Sequence, residues 1–96
     1  MKKFIVKLSN KQKHLFNQEL LAGHVEHLKH LTEIGVLQTC GPCDDGSAIL
    51  ILKADNIEQA RSYVEADPFS SVDYYQNREI SEFFEATMEN NFWLTK

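Results

Sequence analysis

The chain has 96 residues, of which 43% are hydrophobic and 25% charged, and its formal net charge is −4. This length and composition predict a single folded domain, residues 1–96, with no disordered segment. The Lys and Arg residues are scattered along the chain, which excludes the clustered positive charge that nucleic acids and anionic membrane surfaces require.

The first residues predict a strand and not an export signal. Their apolar run, FIV at residues 4–6, is interrupted by Lys7, whereas the core of a signal peptide needs about 7–15 apolar residues. No stretch approaches the roughly 18 consecutive apolar residues of a transmembrane helix. We therefore expect a cytoplasmic protein in which Cys40 and Cys43 are reduced thiols.

Hydrophobic periodicity, cap residues and turn residues predict the element order β-α-β-β-α-β. The predicted strands are Lys3–Leu8, Val36–Cys43, Ala48–Lys53 and Gln76–Phe84. The first predicted helix is capped by Ser9 or Asn10, runs to Ile34 and ends at Gly35; the second spans Ile57–Glu65 after a cap at Asp55 or Asn56. Asp67-Pro68-Phe69 ends the second helix, because the residue before a proline avoids the helical conformation, and Ser70–Asp73 is predicted to be a loop or short turn.

This order is typical of the ferredoxin-like α+β fold, a four-stranded antiparallel sheet with two helices on one face. The other face of the sheet needs a cover, and two sheets packed face to face would supply it, so we predict a homodimer. The tail, residues 86–96, carries Phe92, Trp93 and Leu94. We expect these bulky side chains to pack on the same domain or on the dimer partner.

His24 lies at the centre of the apolar face of the first predicted helix. At 100° per residue, Leu20, Leu28 and Leu31 fall within about 40° of it. A buried imidazole needs a hydrogen-bond partner, and it titrates near physiological pH. Two roles follow: a structural histidine bonded to the backbone, or a general acid–base that faces a pocket between helix and sheet.

His24, His27 and His30 also form an H-x2-H-x2-H pattern, which raises the question of a metal site. Their side chains spread over about 120° of the helix surface, whereas zinc-binding pairs on a helix lie four residues apart on one face. We therefore predict no metal. No phosphate-binding glycine loop or nucleophile elbow is present, so we also predict no cofactor.

The tetrapeptide Cys40-Gly41-Pro42-Cys43 has the letters of a thiol redox site. That chemistry needs the first cysteine at a helix N-terminus, where the helix dipole lowers the thiol pKa. Here a turn at residues 44–47 and the strand AILIL follow. Thiol redox chemistry is therefore the least favoured of the alternatives.

Asp67 is the second candidate for a functional side chain. It either ends a helix beside Pro68, as aspartates in loops often do, or it orients His24 and stabilises the charged imidazole. The sequence alone leaves both roles open.

These motifs, in this order, resemble the YciI-like (YCII-related) domain family of small bacterial proteins over nearly the whole chain. The pattern H-x-x-x-L-x-x-L-x-x-x-G begins at His24, a Gly-Pro pair follows, and ADPF at residues 66–69 ends the second helix. The resemblance implies a dimeric α+β barrel and a catalytic pair at His24 and Asp67. It also implies a binding wall formed by Gly41, Pro42 and Phe69.

The resemblance further implies a function. Related dimeric barrels include lactone isomerases and dehydrochlorinases, which suggests lyase-like or isomerase-like chemistry on a small organic acid or an aromatic-derived metabolite. The alternative is a homodimer that binds a small ligand, or assists another protein, without catalysis. A thiol redox protein acting through Cys40 and Cys43 is the third hypothesis.

Overall fold

A computed structural model describes residues 1–93, and it shows one antiparallel sheet with helices packed on one of its faces. The strands are β1 (Lys2–Lys11), β2 (Leu37–Pro42), β3 (Ala48–Ala54) and β4 (Tyr75–Phe83), in the spatial order β2-β3-β1-β4. The helices are α1 (Gln18–Glu33), α2 (Ile57–Glu65) and the short α3 (Pro68–Ser71). The predicted ferredoxin-like α+β fold is confirmed.

The core lies between the sheet and the two longer helices. Side chains alternate between the faces of a strand, so Val6 and Leu52 point at the helices, and both have 0% exposure. Leu31 of α1 and Val64 of α2 close over them. Each such side chain contributes roughly 1.5–3 kcal/mol when it is fully buried, so this layer holds α1 in place against the sheet.

The opposite face of the sheet carries aliphatic side chains that a single chain leaves partly open. Ile5 of β1 pairs with Ile51 of β3, and both are half-buried, as is Ile49. Phe83 on β4 is 38% exposed. In the apolar strand AILIL, residues 48–52, only the helix-facing residues Leu50 and Leu52 are buried within one chain.

Helix α1 begins later in the chain than the sequence predicted. β1 continues past Leu8, because Ser9 pairs with Asn77 and Lys11 pairs with Tyr75 of β4. The N-cap is Asn17, whose side chain accepts a hydrogen bond from the Leu20 N–H at 2.7 Å. The predicted caps at Ser9 and Asn10 were therefore wrong, since both residues belong to β1.

The segment after Asp67 also differs from the prediction. It forms the one-turn helix α3, with Asp67 as N-cap and Pro68 in the first turn, where a loop or short turn was predicted for Ser70–Asp73. Pro68 lies against α1: a Cβ built on Gly23 would be 3.1 Å from the Pro68 Cγ. Gly23 therefore allows α3 to approach α1 one residue before His24.

The described part of the tail folds back on the end of β4. The Trp93 indole donates a hydrogen bond to the Glu85 carbonyl at 2.9 Å and packs edge-on against Phe84, with the ring centroids 4.8 Å apart. Leu94, the third bulky residue of the predicted packing segment, lies outside the described residues. Among residues 1–93, no helix has the length and apolar character needed to cross a membrane.

The position of the α1 cap can be tested by stability measurements. Asn17→Ala removes the side-chain acceptor for the Leu20 N–H, and we expect a loss of about 1 kcal/mol in the free energy of unfolding. Ser9→Ala should change it by no more than about 0.5 kcal/mol, because Ser9 caps no helix. Urea denaturation followed by circular dichroism measures both. A larger loss of stability for Ser9→Ala than for Asn17→Ala would contradict the cap at Asn17.

Candidate active site: a histidine–aspartate pair beside an apolar cavity

His24 lies on the side of α1 that faces the sheet, and its side chain is 17% exposed. Its Nδ1 atom is 2.7 Å from the Asp67 Oδ2 atom. The imidazole ring stacks on the Phe69 ring, with centroids 3.8 Å apart and planes within 4° of parallel. The ring is therefore fixed at one nitrogen by a carboxylate and over one face by an aromatic side chain.

Asp67 is held in place by the start of α3. The residue is 7% exposed, and its Oδ1 atom accepts a hydrogen bond from the Phe69 N–H at 2.8 Å, the usual contact of an N-cap aspartate. The other carboxylate oxygen is the one that contacts His24. Both oxygens thus have a partner, which is what burial of a carboxylate requires.

This arrangement selects one neutral tautomer of His24. An ionised carboxylate only accepts hydrogen bonds. The Nδ1 atom must therefore carry the ring proton and donate a hydrogen bond to Asp67. In the neutral ring the Nε2 atom is then a free acceptor, and it has no hydrogen-bond partner among residues 1–93. With Nδ1 protonated and Nε2 free, the imidazole can accept a proton from a bound molecule, as the histidine of a catalytic triad does.

The histidine borders a cavity of about 230 Å³ between α1 and the sheet. The wall opposite α1 is the end of β2 with its neighbour β3, and it includes Gly41 and Pro42. Phe69 closes one side. The predicted site residues His24, Gly41, Pro42 and Phe69 therefore share one cavity, while Asp67 supports it from behind His24. The rest of the lining is mainly aliphatic and includes Leu8, Leu21, Leu28, Cys40, Ala48, Leu50 and Tyr75.

The other two histidines of α1 have separate environments. The His27 Nε2 atom is 2.8 Å from the Tyr63 carbonyl oxygen of α2, so His27 ties the two helices together. His30 is exposed to solvent. Among residues 1–93, no group of three or more His, Cys, Asp or Glu side chains is arranged to hold a metal ion.

The two cysteines lie on a strand and in a turn. Cys40 belongs to β2, and the N–H of Cys43 donates to the Ser47 carbonyl in the hairpin that leads to β3. Burial raises the pKa of the Cys40 thiol, which is the opposite of what a redox-active thiolate needs. Cys40 contributes instead to the cavity wall, a position that the sequence analysis did not foresee.

Sequence reasoning also missed Tyr75, a cavity residue that is 7% exposed. It was placed just before the last predicted strand and given no role. The available signal was the aromatic pair Tyr74-Tyr75 at the start of that strand, and a pair of this kind is equally typical of a hydrophobic core.

Fold and cavity together define the class of the protein: a ferredoxin-like α+β domain with a partly buried histidine–aspartate pair at a small apolar cavity. The chain belongs to the YCII-related domain family, whose model matches residues 2–84. No curated protein sequence matches the chain significantly.

One similar solved structure is that of 5-chloro-2-hydroxyhydroquinone dehydrochlorinase (TftG) from Burkholderia phenoliruptrix AC1100, in complex with 2,5-dihydroxybenzoquinone. The two structures align with a TM-score of 0.70 at 21% sequence identity, over 95% of this chain and 100% of that chain. At this level of identity, the likeness establishes the shared fold.

The tautomer of His24 can be tested with Asp67→Asn. The amide oxygen of the introduced side chain can still cap α3, so its NH₂ group would face His24 and donate to Nδ1, which moves the ring proton to Nε2. Long-range ¹H–¹⁵N correlation spectra at neutral pH should show the Nδ1–H form in wild type and the Nε2–H form in the variant. The Nε2–H form in wild type would contradict this arrangement.

Proposed function

We propose that the protein is an enzyme for a small molecule, in which His24 exchanges protons with the substrate and Asp67 orients the imidazole. The observation that carries this proposal is the 2.7 Å contact between His24 Nδ1 and Asp67 Oδ2 at the edge of a cavity of about 230 Å³. An apolar cavity with a few convergent polar groups is the usual form of a small-molecule site.

The chemistry follows from the free Nε2 atom. It can accept a proton from an acidic C–H or O–H group of the substrate, while the bonding electron pair stays on the substrate. The imidazolium that forms is stabilised by the Asp67 carboxylate, and it can return the proton to a second substrate atom. Transfer of this kind supports lyase-like and isomerase-like reactions, and a well-placed general base typically accelerates them about 10²–10⁴-fold.

The apolar lining supports a small ring compound derived from an aromatic metabolite, or a small organic acid, as the substrate. An apolar cavity of roughly 150 Å³ is large enough for benzene, and this one is larger, at about 230 Å³. TftG, which shares the fold, was solved with a ring-shaped quinone. We therefore propose to begin the substrate search with 5-chloro-2-hydroxyhydroquinone and related ring compounds.

His24→Ala is the direct test of the catalytic role. We expect the wild-type protein to convert at least one ring compound, and the variant to do so at least about 100-fold more slowly. Product formation is followed by liquid chromatography and mass spectrometry. His27→Ala is the matched control, since it removes the other half-buried histidine of α1 but leaves the cavity lining intact.

Two results would contradict the proposal. The circular dichroism spectrum of His24→Ala is first compared with that of wild type, so that a loss of activity is not a loss of folding. If the folded variant converts every compound at the wild-type rate, His24 is not the base. If wild-type protein retains a ring compound unchanged in native mass spectra and converts none, the non-catalytic binding protein is the correct interpretation.

We also propose that the protein is a homodimer joined through the open face of its sheet. The partly open aliphatic side chains Ile5, Ile49 and Ile51 support this assembly, because a contiguous apolar patch on a small domain is a typical protein contact surface. Two sheets packed in this way would bury these side chains on the face that carries no helix.

Ile51→Lys should separate the dimer. A lysine at the centre of an interface between two sheets would be buried without a partner, at a cost of several kcal/mol. We expect size-exclusion chromatography with light scattering to give the mass of one chain for this variant and of two chains for wild type. Glu58→Lys, on the exposed side of α2, should stay dimeric. A monomeric wild type would refute the assembly.

A further inference from the structure

We propose that the hydroxyl group of Tyr75 is a second ligand-binding group of the cavity, and that it donates a hydrogen bond to an oxygen atom of a ring-shaped substrate held at His24. The inference rests on the proposed function, because it adds a polar group to the same cavity. It names a feature of the substrate: an oxygen substituent on the part of the ring that lies away from His24.

The burial of Tyr75 is the first observation. The residue is 7% exposed, and its hydroxyl group makes no hydrogen bond with any of residues 1–93. A hydroxyl group that is fully buried and has no hydrogen-bond partner would destabilise the folded protein. However, no fully buried side-chain oxygen or nitrogen in the described chain lacks a partner, so the hydroxyl oxygen must retain open surface. Tyr75 lines the cavity beside His24, and the proposal places the open surface of its hydroxyl there.

The location of Tyr75 is the second observation. Burial raises the pKa of Tyr75, and the Tyr74 hydroxyl and Cys43 thiol raise it further. Tyr75 belongs to β4 of the sheet and His24 to α1, so the two residues contribute to the cavity from opposite walls. Phe69 contacts both rings, with centroid distances of 3.8 Å to His24 and 6.1 Å to Tyr75.

These positions define how a ligand would be held. The raised pKa keeps the Tyr75 hydroxyl protonated at neutral pH, so it can donate to a ring hydroxyl, carbonyl or phenolate oxygen. His24 Nε2 accepts from the other end of the same molecule. A ligand without the oxygen would leave the hydroxyl unpaired, and sites built around a buried polar group reject such analogues.

The test compares two ring compounds of the same shape, hydroquinone and p-xylene, in wild type and Tyr75→Phe. Their affinities are measured from ¹H–¹⁵N shift titrations of the whole protein. We expect Tyr75→Phe to weaken hydroquinone binding about tenfold, the usual loss when one buried hydrogen bond is removed. Binding of p-xylene should equal that of wild type or be tighter, because p-xylene leaves the wild-type hydroxyl unpaired. The phenyl ring is kept, so thermal stability should be unchanged.

Tyr74→Phe is the matched control, because Tyr74 is an equally buried neighbour that does not line the cavity. Its hydroquinone affinity should equal that of wild type. Equal hydroquinone affinity in wild type and Tyr75→Phe, with a loss in His24→Ala, would overturn the role of Tyr75 and leave the proposed function standing. If wild-type protein does not bind hydroquinone, the role of Tyr75 is also overturned. The catalytic role of His24 is then tested separately by the turnover of other ring compounds.

Discussion

The carboxylate of Asp67 joins the helices α3 and α1 through two short contacts. One oxygen begins α3 by accepting from the Phe69 N–H, and the other holds the His24 ring of α1. The position of Phe69 depends on the same cap, and Phe69 in turn supports the imidazole from its face. Local helix geometry and the geometry of the site are therefore set by one side chain, and a change at Asp67 affects both.

The segment that carries Asp67 is itself fixed at its two ends. Gly23 lets Pro68 approach α1, as the 3.1 Å separation from a built Cβ shows. On the other side, Arg78 of β4 bonds to Glu65 at the end of α2 and to Asp73 after α3. The Glu65 and Asp73 side chains are 48% and 63% exposed, so each contact adds little to stability, but together they link both ends of the segment to one side chain of β4.

The fold could be predicted from the sequence because most elements carry their own periodicity and turn residues. The position of His24 on the apolar face follows from helix geometry alone. Its pairing with Asp67 was one of two roles that the residues left open, and only the family resemblance favoured it, since nothing local links residues 43 positions apart. The start of α1 was missed because Ser9 and Asn17 are both good cap residues, and long-range pairing with β4 decided between them. The place of Cys40 in the cavity wall was not predicted, because a register shift between Leu37 and Thr39 decides which face of the sheet it takes.

The cap on α3 has a further consequence for spectroscopy. The Phe69 N–H donates a hydrogen bond to one oxygen of the Asp67 carboxylate, and the other oxygen accepts from His24. The chemical shift of the Phe69 amide therefore changes when charge is redistributed between His24 and Asp67. Phe69 also lies in the cavity wall. A single backbone signal thus reports on occupancy and on proton movement together, which gives the protein an intrinsic probe that requires no chemical label.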